Sequence, residues 1–309
     1  MVKGEQLVRT DLLLKEVHIS GESLVPVVKL TVDDQQVSCL LDTGGYSSFL
    51  VWRTWFEKAR RKCDDLLFGC YECEPAPCEA GALDTLEFAQ DILLTVFTHS
   101  GEFNFGGGED PTKQASPLKF FKVVDTAYHF VQLRGLQIGD APSYYINIED
   151  NAIFDSGSTA IFINNKWQGQ IVSFLQNAGK QRVDIEAKGK DIIVSCDDIP
   201  YLPSMTFYVE GLQGGKISVE IPSTALLLSA LRDECILALE FSDDEEVNIG
   251  LNAFFGNYYY FNIDEGKIGF TKVKDVHSIT RARAYDTESV KVCRMASLER
   301  AQSELLSTE

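Results

Sequence analysis

A chain of 309 residues is long enough to bury a sizeable core and to hold one or two domains. Its 46 acidic against 28 basic side chains leave a formal charge of −18, a field that repels phosphate and argues against nucleic acid and anionic membranes as partners. Hydrophobic content of 45% and charged content of 24% are ordinary for a globular protein, and the absence of a run of about 18 apolar residues argues against a membrane-spanning helix.

The stretch Met1–Leu12 carries charges where a secretory leader needs its apolar run, so either a signal and propeptide are missing from this sequence or the protein is not secreted. Leu12–Leu14 and Val17–Ile19 read as an edge strand. Val25–Val32 alternates as a strand should, and Asp33-Asp34 marks a turn back to Val37–Leu41. This hairpin delivers Asp42. Trp55–Lys62 is helix-compatible, and Cys63, Cys70, Cys73 and Cys78 then crowd a stretch that Pro75 and Pro77 make a loop. Leu83–Gln90 is expected to be a short helix and Asp91–Thr98 a strand. Sheet-rich stretches at Leu118–Val124 and His129–Gly139 follow. A helix is predicted from about Lys166 to Asn177, because Trp167, Ile171, Phe174, Leu175 and Ala178 lie at helical spacing and read as core. Strands are predicted at Asp191–Cys196, Ser204–Glu210 and Ile217–Ile221, then an apolar run Cys235–Phe241 and a solvated acidic turn Ser242–Glu246. The last stretch, Asp286–Leu306, is charged with scattered apolar residues, either a surface helix or disordered.

Two short stretches organise this order. Asn151-Ala-Ile-Phe-Asp155-Ser156-Gly157-Ser158-Thr159 is an apolar strand running into an acid, a hydroxyl and a glycine. Val37-Ser-Cys-Leu-Leu-Asp42-Thr43-Gly44-Gly45 repeats the arrangement. The glycine lets the chain turn sharply, so each Asp sits at the turn rather than in the sheet. One such triplet is a common strand end. Two copies point to two lobes that each give one carboxylate to a shared site.

The pair resembles the pepsin-like aspartic peptidases. Leu41–Gly44 followed by Ser47, Ser48 and Trp52 resembles the first motif of that family and the apolar strand after it. Ser100–Asp110, with Gly106 and Gly107, is similar to the glycine-rich hairpin closing the first lobe. Leu136–Asp140 resembles the strand pair before the second motif, and Ile249-Gly250, Tyr258–Asp264 and Lys267–Phe270 resemble the closing strands. The likeness covers roughly residues 22–275 with one gap. It implies an all-β, bilobal fold with a cleft between an N-terminal lobe over 1–140 and a C-terminal lobe over 141–275, and a polar tail at 276–309.

The same resemblance implies an endopeptidase with an acidic optimum, a polypeptide substrate and no metal or cofactor, acting as a monomer in a secreted or vacuolar/lysosomal setting. Asp42 and Asp155 would share one proton, since two adjacent carboxylates do not both ionise easily. The ionised one would activate a water and the protonated one would donate to the developing oxyanion. Thr43 and Ser156 resemble the hydroxyls that brace the two loops. Gly44 and Gly157 allow close approach and offer N–H groups to the carboxylates. Ser158 matches a hydroxyl three residues after the second Asp, whereas Gly45 stands where serine is usual. A disulfide between Cys196 and Cys235 is likewise implied.

Other residue types are less informative. Cys63, Cys70, Cys73 and Cys78 read as two local bridges, with a zinc knuckle as the rival, although a second Cys-x2-Cys pair is lacking. Cys39 reads as a small buried residue. The four histidines are scattered singly and form no triad or metal pattern. Gly106–Gly108 lacks the Lys-Ser/Thr of a phosphate loop.

The departure is the gap. Only 113 positions separate Asp42 from Asp155, several dozen fewer than a full first lobe needs. The loss falls between Trp52 and about Leu83, where the family carries a tyrosine-bearing flap. Tyr71 is the one tyrosine in that interval, in the unsuitable setting Cys70-Tyr71-Glu72-Cys73. Two other readings follow from the gap: a weak or inactive peptide-binding relative, or an incomplete fragment with exposed sheet edges.

Overall fold

The computed structural model describes residues 12–18, 22–45, 50–66, 68–74, 76, 78, 81–88, 92–97, 110–126, 128–231, 233–262 and 265–274. The expectations for Ser47 and Ser48, the hairpin at 100–109 and the tail at 276–309 fall outside them. Two compact units emerge. The first comprises Met1–Lys15, Pro26–Leu41 and Gly45–Gly108; the second comprises Glu109–Glu309 with Glu16–Val25 and Asp42–Gly44. The first Asp motif thus belongs to the unit that holds the second.

Strands β1 (Leu12–His18), β2 (Glu22–Val32) and β3 (Gln35–Leu40) form a sheet in that order. The β2–β3 register runs from Val27 opposite Leu40 to Val32 opposite Gln35. Asp33 and Asp34, both at positive φ, close it as a two-residue turn whose twist suits the hairpin. Alternation buries Val28, Leu30, Val32 and Val37 against Tyr71, Cys73 and Cys78. Helix α1 (Arg53–Lys58) packs Phe56 beside Cys63 and Cys70. Disulfides Cys63–Cys70 and Cys73–Cys78 tie this small core, so the four thiols are consumed in bridges rather than held as metal ligands.

Strands β4 (Leu83–Phe88) and β5 (Ile92–Phe97) form a two-stranded hairpin. The helix expected over Leu83–Gln90 is therefore wrong. Its residues pair one by one with the β-prone run Ile-Leu-Leu-Thr-Val-Phe, and this cross-strand pairing overrides the modest helix preference of Leu and Glu.

The second unit adds β6 (Lys119–Phe121), β7 (Val123–Asp125), β8 (Phe130–Ile138), β9 (Tyr145–Ile146), β10 (Asn151–Phe154) and β11 (Ile161–Asn164). Helix α2 (Gln168–Asn177) follows a single 3-10 turn, Asn165–Trp167, in which the Asn164 side chain accepts from the Lys166 N–H. Next come β12 (Ile185–Lys188), β13 (Asp191–Ser195), β14 (Met205–Glu210), β15 (Lys216–Ile221), β16 (Leu227–Leu231) and β17 (Glu234–Leu237). The chain then forms β18 (Leu239–Ser242), β19 (Val247–Ile249), β20 (Asn257–Asn262) and β21 (Lys267–Lys272).

A large sheet runs β15-β14-β8-β10-β19-β11-β18, and smaller sheets run β12-β13-β17-β16 and β20-β21-β6. Ile171 and Leu175 of α2, spaced for one helical face, enter the same core as Leu133, Leu136, Phe154 and Phe207. Phe121 stacks on Phe154 and Phe270, with ring centroids 5.3 and 5.6 Å apart. The Cys196–Cys235 bridge closes a separation of 39 residues beside the β13–β17 ladder. Among the described residues no helix is long and apolar enough to cross a membrane.

Candidate functional site

Strand β10 drives the second motif into the core and stops at it. Ala152 and Phe154 are fully buried, and the chain leaves the sheet at Asp155. Strand β19 inserts between β10 and β11, parallel to the first and antiparallel to the second. The connecting turn is pinned to β19 and the residues after it. The Asp155 N–H donates to the Ile249 carbonyl at 3.0 Å, and the Leu251 N–H donates to the Ser158 carbonyl at 2.7 Å. Gly250 permits this closeness: a Cβ there would lie 2.3 Å from the Ala160 carbonyl oxygen.

Around this turn the two motifs meet as near mirror copies of one another's hydrogen bonds. The Gly44 N–H donates to Asp42 Oδ1 at 2.9 Å, and the Gly157 N–H donates to Asp155 Oδ1 at 2.8 Å. The Thr43 N–H donates to Ser156 Oγ at 3.2 Å, and the Ser156 N–H donates to Thr43 Oγ1 at 3.0 Å. The Thr43 hydroxyl donates to the Phe154 carbonyl at 2.7 Å, which ties the first loop to the end of β10. Each of the two hydroxyls thus satisfies a main-chain donor of the other loop, and neither loop closes its hydrogen bonds without the other.

The glycines complete the reciprocity. A Cβ on Gly44 would fall 2.5 Å from Asp155 Cγ, and one on Gly157 would fall 2.5 Å from Asp42 Cγ. Each glycine therefore touches both carboxylates, one through its N–H and the other through its bare Cα. Asp155 is 9% exposed and Ser156 3%, whereas Asp42 is partly exposed. All seven residues singled out from the motifs, Asp42, Thr43, Gly44, Asp155, Ser156, Gly157 and Ser158, come together here.

Two polar residues escaped the sequence reading. Asn248, in the middle of β19, donates its amide to Asp155 Oδ2 at 2.9 Å and to Ser158 Oγ at 3.0 Å, and the Ser158 hydroxyl donates to the same Oδ2 at 2.6 Å. Its signal was faint: one amide in the apolar strand Val247-Asn248-Ile249, just before the Ile249-Gly250 pair. The second is Glu72, between the two disulfides of the first unit. Its carboxylate accepts from Trp52 Nε1 at 2.8 Å, the Thr54 N–H at 3.0 Å, the Thr54 hydroxyl and the Cys78 N–H. Burial pushes the Glu72 carboxyl up, but these hydrogen bonds outweigh it and hold the group below the usual carboxylate range.

Tyr71 is a core residue of the first unit. It is 6% exposed, and its hydroxyl bonds the Asp33 carboxylate. Burial, helped by that bond, pushes the phenol up to about 12. Between Trp52 and Leu83 the described residues form α1, a 3-10 turn and the two disulfide loops, with no strand pair. Among the described residues no group of three or more His, Cys, Asp or Glu side chains is placed to hold a metal. A family model described as eukaryotic aspartyl protease matches residues 92–273, a span that includes Asp155 and Asn248 and lies beyond Asp42.

Proposed function

The chain belongs to the eukaryotic aspartyl protease family, with its all-β pepsin-like fold, and from that premise we propose that it is an endopeptidase whose catalytic pair is Asp42 and Asp155. The observation that best supports this reading is the double contact of Gly44 and Gly157, each touching both carboxylates. In the proposed reaction one carboxyl is ionised and the other carries a proton. The ionised group takes a proton from a water as the water oxygen bonds to the peptide carbonyl carbon. The protonated group gives its hydrogen to the carbonyl oxygen. The tetrahedral adduct then collapses: the carboxyl that took the water proton gives it to the amine nitrogen, and the C–N bond breaks. A hydroxyl of the adduct returns its proton to the other carboxylate as the C=O re-forms, so the pair is left with one proton again. No bond to the enzyme forms. Thr43, Ser156 and the glycine N–H groups hold the carboxylates in place through the reaction, so little reorganisation is needed.

A second reading is a peptide-binding relative with little turnover. It draws on the interval between Trp52 and Leu83, where the described residues form two disulfide loops rather than a strand pair that could close over a substrate. One experiment separates the two. Cleavage of an unfolded polypeptide is followed from about pH 3 to pH 7, beside Asp155→Asn and a hydroxyethylene peptide inhibitor. Acid-optimal cleavage abolished in both controls is the expected result. A folded protein that binds the inhibitor without cleaving would leave the binding reading, and one that does neither would overturn both.

A further inference from the structure

Asn248 lies between Val247 and Ile249, both fully buried, and so its side chain points from the opposite face of β19. The order β10-β19-β11 sets it between the two strands joined by the Asp155 turn, opposite Ile153 on one side and Phe162 on the other. Asn248, Ser158 and Asp155 Oδ2 form a closed triangle of hydrogen bonds. With Asp155 ionised it is self-consistent in one sense only. An ionised carboxylate offers no hydrogen, so the amide must turn its NH2 end toward Asp155. Ser158 Oγ then accepts from that amide, which leaves the serine proton for Asp155. With the Gly157 N–H on Oδ1, both oxygens are tethered and the plane of the carboxylate is fixed.

A purely structural role explains this residue poorly. Asparagine is disfavoured in strands, and the Asn248 Oδ1 is buried with no hydrogen-bond partner, a net loss to the fold. An apolar side chain at 248 would serve the sheet better. The amide stands where it aims at a carboxylate.

We propose that Asn248 is a positioning residue for Asp155: it directs the Ser158 proton and fixes Oδ2, so that the second carboxylate meets the water and substrate in one orientation. This rests on the peptidase reading above. The test compares wild type with Asn248→Leu, Asn248→Asp, Ser158→Ala and the Leu/Ala double variant. Asn248→Leu should lower kcat by roughly 10- to 100-fold with KM within about threefold, because it removes a hydrogen bond to a charged group. Its thermal midpoint should stay level or rise. Asn248→Asp sets a second carboxylate against the first and opposes its ionisation, so the acid limb of the kcat/KM profile should move to higher pH. Ser158→Ala should cost far less in the Leu background than alone, since without the Asn248 amide the serine proton is no longer directed at Oδ2.

Unchanged kcat in a cleaving, folded Asn248→Leu overturns the proposal alone. So does a fall in kcat that only tracks a fall in thermal midpoint with an unmoved pH profile. If Asn248→Leu does not fold, an unmoved profile in Asn248→Asp overturns it by itself. If wild type binds the hydroxyethylene inhibitor without cleaving, the peptidase reading fails separately. Inhibitor affinity then decides: a loss of about tenfold or more in Asn248→Leu sustains the positioning role, and equal affinity removes it. No cleavage and no binding by wild type overturns both.

Discussion

Gly157→Ala is the sharpest perturbation of the two-loop geometry. The new methyl would stand 2.5 Å from Asp42 Cγ, 2.6 Å from Oδ1 and 2.8 Å from Oδ2. Carbon contacts are comfortable at about 3.5–4.0 Å, so the carboxylate or the loop must yield by about 1 Å. Gly157 is not among the residues at positive φ, and the effect is therefore of space rather than backbone strain. Misplacing a reacting group by about 1 Å costs on the order of 100-fold in rate, whereas forcing a methylene into a packed site costs about 1–3 kcal/mol of stability. The expected signature is a kcat/KM near one-hundredth of wild type in a protein that melts only a few degrees lower. Gly44→Ala makes the same demand on Asp155. That carboxylate is 9% exposed and tied by Gly157, Ser158 and Asn248, so its displacement should cost more stability for a similar loss of rate. Gly169→Ala in α2, with nothing within 4 Å of the added carbon, is the control and should leave activity unchanged. Peptide-cleavage kinetics beside thermal melts read all three. A folded Gly157→Ala with kcat/KM within about threefold of wild type would refute the packing of Asp42 against Gly157.

Glu72→Gln should destabilise the protein by roughly 1–3 kcal/mol near neutral pH, since one amide oxygen replaces two acceptors shared by four donors. The folded-state carboxyl lies below its ordinary value, so its contribution is full above the unfolded pKa and lost as pH falls through the folded one. Wild type should therefore lose more stability than Glu72→Gln on strong acidification; urea unfolding at both ends of the pH range checks this, and parallel losses would contradict it. Replacing Cys196 and Cys235 by serine opens a separation of 39 residues, worth about 4 kcal/mol by loop entropy. A loss under about 1 kcal/mol in denaturant titration would show that the β13–β17 ladder holds that region without the bridge.

The parts of the fold that were legible in the sequence were those written locally. The Asp33-Asp34 turn between alternating runs, the helical spacing of Ile171 and Leu175, and the two Asp-hydroxyl-Gly turns each carry their signal within about a dozen residues. Leu83–Phe88 was misread because its composition is neutral and its partner strand decides its state. Asn248 and Glu72 were illegible for a related reason. Asn248 acts on a residue 93 positions away, and Glu72 gathers donors from 6 to 20 positions off and bonds Gln35 at 37. Neither contact leaves a mark in spacing, and each looks like an isolated polar residue until the sheet order or the disulfide pairing is known.

The same distribution of carboxylates bears on the pH at which the molecule would have to work. At neutral pH the formal charge of −18 strains the fold by self-repulsion, and acidification toward the pI near 4.6 relieves it. What acid threatens is the smaller set of carboxylates that form joints. Glu72 is one. Glu210 is another: hydrogen bonds from Lys122 and Arg134 hold its carboxyl below the ordinary range despite the cost of desolvation. Groups shifted in that direction keep their charge, and their contribution, to a lower pH than a carboxylate of ordinary pKa does. The three disulfides among the described residues are indifferent to protonation. Glu72 and Glu210 thus keep supporting the fold as a moderately acidic solution relieves the repulsion, which is the order the proposed carboxylate pair would require of its scaffold.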